Sequence, residues 1–122
     1  MADFKDLLVW QKSIKFAKLI YMLTEAFPSK EVFGLTVQLR RAAISVSSNI
    51  AEGQARHSNA DFKHFLHIAR GSSAEIESQL ILAVELGYIT KAQQLEACES
   101  LHEIQKMLNG LISSLKTQSG KK

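Results

Sequence analysis

A single cysteine, Cys98, and a single proline, Pro28, stand in a chain of 122 residues. One cysteine excludes an intrachain disulfide framework and fits a reducing compartment. One proline and six glycines leave little sequence for loops, since those residues are the main breakers of regular structure. No run reaches the ~18 apolar residues that a membrane-spanning helix requires. The opening residues, MADFKDLLVW, carry Asp3 and Asp6 where a secretory leader has a basic flank, so the expected location is cytoplasmic, with no membrane partner. A glycine-rich phosphate loop, a GxSxG elbow, a CxxC pair and the Glu-x-x-His pair of di-iron bundles are all missing. No enzymatic activity and no cofactor are expected.

What the chain does have is helical periodicity. Val9, Ser13, Phe16, Ile20, Leu23 and Phe27 alternate steps of four and three, the seam of a helix bundle. They predict a first helix over about 6–26, ended by Pro28 through its restriction of Phe27. Leu35, Leu39, Ala42, Ala43, Val46 and Ile50 form the stripe of a second, from about Glu31 to Glu52, with Gly53 as the residue just past its end. Phe62, Leu66, Ala69, Ser73, Ile76, Leu80 and Ala83 define a third, over about 59–86 and stopped by Gly87; Ser58 and Asp61 resemble its capping box. Thr90 and Gln93 make a full capping box for a fourth, striped by Cys98, Leu101, Gln105, Leu108, Ile112 and Leu115. Short connections force neighbouring helices to run in opposite directions. The expected fold is all-α, an antiparallel up-down-up-down four-helix bundle. One domain covers 1–116, and a polar tail, 117–122, is expected to be disordered.

Two helices carry more than one core stripe. The back of the second holds Arg41, Ser45, Ser48 and Glu52 instead of good helix formers. Serines on that face make sense where another backbone approaches closely. The third carries a second register, Phe65, Ile68, Ser72, Glu75, Gln79, Leu82 and Leu86, and places Gly71 among small residues, as close helix approach would explain. Both point to packing on two sides and hence to assembly.

Charge is the other signal. The net charge is only +3, which permits nucleic-acid binding without demanding it. It is unevenly spread: Arg56, Lys63 and Arg70 face a single Asp61 between 53 and 70, and 71–90 holds Glu75, Glu77 and Glu85 without Lys or Arg. Lys63, His67 and Arg70 share one helix face. One reading is a phosphate-contacting patch of Arg56, Lys63, His67 and Arg70, with Arg41 joining them. The other is a set of ion pairs between subunits, in which Arg40, Asn49, Glu52 and Glu75 form an assembly network. His64 and His67, with Asp61, are the one candidate metal group, short of the three or four firm ligands zinc needs; no metal is expected.

Three stretches, LVWQKSIKFAKLIYMLTEAFP (8–28), GLTVQLRRAAISVSSNIAEG (34–53) and DFKHFLHIARGSSAEIESQL (61–80), followed by LGYI (86–89), resemble a bacterial family. Its members are four-helix bundle proteins encoded in intervening sequences of large-subunit (23S) rRNA genes. Where that family often has proline after the Ile-Ser pair, this chain has Ser47 and Ser48. Arg40, Arg41, Asn49, Glu52, Arg70 and Glu75 match the family pattern. The resemblance implies a ring-forming homo-oligomer, typically a pentamer, and a link to RNA or the ribosome. The chain is similar also to the pentameric accessory protein of diversity-generating retroelements, which binds nucleic acid. The expected function is a non-enzymatic oligomeric module that contacts RNA. The alternative is a structural adaptor whose ring docks a protein partner.

Overall fold

The computed structural model describes residues 3–117. A capped 3-10 turn, Phe4–Asp6, leads into α1 (Leu8–Thr24); a second such turn, Ser29–Glu31, precedes α2 (Leu35–Gln54); α3 (Asn59–Glu85) and α4 (Lys91–Ser114) complete a four-helix bundle. Among the described residues there is no strand. Each helix packs on its neighbours in sequence, and α4 closes back onto α1. Residues 118–122 of the expected tail lie outside the described residues.

Most of the core follows the stripes read above, but Phe62, Gln105 and Leu115 are half-buried, and α4 buries Gln94, Ala97 and Ile104 outside its expected stripe. Leu39, Val46, Ile50, Leu66, Ile76, Leu80, Leu101 and Leu108 are fully buried. One substitution occurs in α1, where Leu23 is half-buried and Thr24 lies in the core. A straight helix drifts about 20° per heptad against a 3.5-residue repeat, so the buried line moves over by one residue near the end. Buried hydroxyls are satisfied locally: Ser13 Oγ donates to the Val9 carbonyl at 2.7 Å and Thr24 Oγ1 to that of Ile20 at 2.8 Å. A hydroxyl bonded this way avoids the cost of burial without a partner and keeps the side chain small.

Between α2 and α3, Ser45 and Ser72 share a hydrogen bond of 2.9 Å. Further along the pair, a Cβ on Gly53 would stand 2.8 Å from Phe65 Cβ and 2.9 Å from Phe62 Cδ1. α2 continues through Gly53 to Gln54, so Gly53 is not the residue past the helix end; it lets two phenylalanine-bearing turns of α3 close onto α2. Gly71 has the opposite character. Nothing lies within 4 Å of a Cβ placed there, so no helix of the same chain uses the space. Gly87 alone among the described residues has a positive φ, +79°, and ends α3 as expected.

α2 starts four residues later than its hydrophobic pattern indicates. Gly34 occupies the cap position and has no side chain to cap with. Glu31 does that work: its Oε1 accepts from the Leu35 N–H at 3.0 Å, and Oε2 accepts from the Tyr88 hydroxyl at 2.7 Å. A Cβ on Gly34 would sit 2.6 Å from that Oε1. The α1–α2 and α3–α4 connections are thereby tied together. These bonds, first the Leu35 N–H and then Tyr88, hold the Glu31 carboxyl below its ordinary 4.5, and the carboxylate holds the Tyr88 hydroxyl above its ordinary 10.0.

A carboxyl with a lowered folded value stabilises above its unfolded value and loses that contribution as pH falls through the folded one. Glu31→Gln should therefore melt below the wild type near neutral pH. The gap should close in acid well below 4.5. Thermal melts of both proteins across that range test this; a gap that does not change with pH would remove Glu31 as a titrating cap.

Candidate nucleic-acid interface

Lys63, His67 and Arg70 recur on α3 at steps of four and three, hence on one strip. Arg70 fixes where the strip faces. Its Nη1 donates to Asn109 Oδ1 on α4 at 2.8 Å, and its Nη2 donates to His67 Nδ1 at 3.0 Å. A guanidinium has donors only, so Nδ1 must be the acceptor and the ring's proton sits on Nε2. In this arrangement His67 orients Arg70 on the strip.

The opposite side of this seam is α4. His102, Lys106 and Asn109 repeat the same spacing there, and His102 Nε2 lies 2.9 Å from Glu77 Oε2 on α3. Beyond the helix, the Lys116 carbonyl accepts from Asn59 Nδ2 at 2.8 Å. Lys106 and Lys116, both exposed, thus flank the strip that carries Lys63 and Arg70. Among the described residues, no carboxylate lies within ion-pair distance of these four side chains. Lys106 on α4 and Lys116 past its end are absent from the sequence-based patch. The signal for Lys106 is the spacing from His102 to Asn109, which acquires meaning only once α4 is laid against α3.

The remaining candidates lie elsewhere. Arg56 Nη2 donates to Glu52 Oε2 at 2.7 Å, and its guanidinium lies 4.8 Å from the Phe65 ring centre. Its charge is largely balanced within the chain. Arg40 turns toward α1: Nε donates to Thr24 Oγ1 at 2.8 Å, Nη2 to the Tyr21 carbonyl at 3.3 Å, and the guanidinium lies 4.4 Å from the Tyr21 ring centre. It clamps the last turn of α1, where carbonyls lack helical partners. Asn49 Nδ2 donates to the Ser45 carbonyl and hydroxyl, at 2.8 and 2.9 Å. Arg41 is exposed on the outer side of α2 and shares the α2–α3 face with Glu75, which accepts from Gln79 Nε2 at 3.1 Å. The five proposed phosphate contacts therefore fall on two faces, with Lys63, His67 and Arg70 together and Arg41 and Arg56 apart from them.

His64 packs edge-on against Phe65, with ring centres 5.4 Å apart, while His67 is engaged by Arg70. Among the described residues, no three His, Cys, Asp or Glu side chains are grouped to hold a metal. A recess of about 420 Å³ beneath the α1–α2 turn includes Thr24, Glu25, Phe27 and Arg40. The Thr24 hydroxyl there is already bonded to the Ile20 carbonyl and to Arg40. No described helix is long and apolar enough to cross a membrane.

No curated protein matches the chain. A crystal structure from Bacteroides thetaiotaomicron, of a protein of unknown function in the S23 ribosomal protein family, superposes with a TM-score of 0.79. It is 30% identical, and the match covers 88% of this chain and 100% of that one. The profile of the 23S rRNA-intervening sequence proteins matches residues 5–110. Fold, matched length and sequence agree, and the chain belongs to the 23S rRNA-intervening sequence protein family.

Proposed function

We propose that this chain is a non-enzymatic RNA-binding module, acting in the cytoplasm as a homo-oligomeric ring of antiparallel four-helix bundles. The observation that carries the binding reading is the α3–α4 seam, which brings Lys63 and Arg70 on α3 alongside Lys106 on α4 and Lys116 just past its end, with no carboxylate within ion-pair distance of them among the described residues. Cations drawn from two helices and left unpaired suit phosphate oxygens, and phosphate contact gives affinity with little sequence preference. The family description, which ties these proteins to 23S rRNA intervening sequences, supports RNA as the polyanion.

The antiparallel arrangement is supported by the order of partners across the seam. Moving forward along α3 through Asn59, Arg70, Ser73 and Glu77, the partners move backward from Lys116, just past α4, to Asn109, Gln105 and His102 on it. Assembly is supported by the α2–α3 face, where Ile68, Leu82 and Leu86 stay exposed beside Arg41, Ser48 and Glu75. For the number of copies, the family resemblance implies five.

Filter binding to a structured RNA at two salt concentrations tests the function. Four neutralised phosphates per chain give a log–log salt slope of about −3.6, or roughly 100-fold weaker binding for a fourfold rise in salt. Lys63→Gln with Lys106→Gln should lower the slope by about 2, and Lys18→Gln, at an exposed position on α1, should leave it unchanged. Arg70→Glu separates this reading from the adaptor alternative. Loss of RNA binding with the oligomer intact supports RNA contact. A broken oligomer with RNA binding unaffected supports a purely structural role, and no binding at low salt ends the proposal.

A further inference from the structure

The seam has a shape as well as a sign, and shape bears on which form of RNA it accepts. Its cations stand in two rows. Lys63 and Arg70 lie about 10 Å apart along α3, at 1.5 Å per residue. Lys106 lies on α4, whose axis is about 8–10 Å away for packed helices, and Lys116 follows two residues past its end. A single strand offers one line of phosphates, whereas the two strands of a duplex offer two lines flanking a groove.

The seam also lacks what single-strand binders use. Proteins that hold unpaired bases stack them on exposed aromatic rings. Phe62 and Phe65 on α3 are half-buried, packed at Gly53 on the α2 side. Trp10 is engaged with Phe4, ring centres 5.0 Å apart. Phe33, the one bare phenylalanine, lies in the α1–α2 connection, by the end that Glu31 and Tyr88 tie together, away from Lys63. Among the described residues, the seam therefore presents cations and amide or imidazole groups, one carboxylate, Glu77, held against His102, and no exposed Phe, Tyr or Trp.

We infer that the α3–α4 seam, with cations in two rows and no stacking platform, is built for the backbone of double-helical RNA. This rests on the RNA-binding reading above and narrows it. A pair of packed helices forms a blunt ridge. The wide, shallow minor groove of A-form RNA, lined by phosphates and 2′-hydroxyls, admits such a ridge. The minor groove of B-form DNA, about 6 Å wide, is narrower than the spacing of the two rows. The His67 Nε2, left free by the Nδ1 contact with Arg70, offers a ring nitrogen to a 2′-hydroxyl beside the cations.

Fluorescence anisotropy on the full chain, at low salt, tests the inference with three probes of one sequence: an RNA duplex, its unpaired RNA strand and the matching DNA duplex. The RNA duplex should bind at least tenfold more tightly than either other probe. Lys106→Gln with Lys116→Gln, at exposed positions that leave the core untouched, should erase most of that preference. An unpaired strand that binds as tightly as the duplex would overturn the inference and leave RNA binding standing. A DNA duplex that binds as tightly as the RNA duplex would also overturn it, by removing the groove argument. If neither RNA probe binds, the inference and the reading beneath it both fall.

Discussion

Gly53→Ala and Gly71→Ala are expected to move the melting temperature in opposite directions, with Gly53→Val the most damaging of the three. Both positions are helical, so intrinsic propensity favours the change by about 0.5–1 kcal/mol for alanine. At Gly71 nothing opposes that gain, because the space around its Cβ position is empty. The midpoint should rise by a few degrees, at about 4 °C per kcal/mol for a chain of this size. At Gly53 the new carbon meets Phe65 Cβ at 2.8 Å and the Phe62 carbonyl oxygen at 3.3 Å. Neither is the free end of a flexible side chain, so α2 and α3 must separate locally. Overpacking of that kind typically costs about 1–3 kcal/mol, which outweighs the propensity gain. Valine adds two methyl groups to the same gap and should lower the midpoint by roughly 10 °C or more. Calorimetry or circular-dichroism melts decide the matter. A Gly53→Ala protein as stable as the wild type would mean the α2–α3 approach is looser than described.

The two glycines also mark where sequence reading reached its limit. Both were legible as special. Gly53 sits before a polar link, the usual setting for a residue past a helix end, and nothing local reveals that Phe62 and Phe65 will come to rest on it. Gly71 sits among serines, which reads as a close-packing site, yet the bundle's own helices leave it open. Stripes were a safer guide. The α2 and α3 core positions followed from 3.6-residue spacing, because burial against a bundle depends on which face a residue occupies and little else. The candidate interface was only half legible for the same reason. Lys63, His67 and Arg70 are neighbours along one helix, so their spacing placed them together. Lys106 and Lys116 join them through packing between distant segments. The His67 ring is held by a guanidinium one turn away, a fact of geometry that is invisible in composition.

Arg41→Glu is expected to turn the proposed oligomer into single chains. The reasoning starts from what the α2–α3 face leaves uncovered. Ile68, Leu82 and Leu86 remain 39%, 47% and 48% exposed, along a face that also carries the exposed Arg41, Ser48 and Glu75. Apolar side chains grouped in this way and bordered by charges mark an interaction surface. Within one chain, Arg41 and Glu75 share the face yet form no ion pair. Each is thus available to a charge on another copy, and a second copy supplies both signs. Reversing Arg41 sets like charges against each other across the contact, a cost of several kcal/mol, equivalent to roughly 100-fold or more in dissociation constant. The double variant Arg41→Glu with Glu75→Arg should recover assembly, because the pair is restored with its signs exchanged. Arg40→Glu is the informative contrast: it removes the clamp on Thr24 and Tyr21, so it should lower the melting temperature and cannot be rescued from Glu75. Light scattering across a concentration series reads the mass of each protein. A wild-type chain that stays single at every concentration would remove the ring, and with it any gain in RNA affinity from joining several weak seams in one particle.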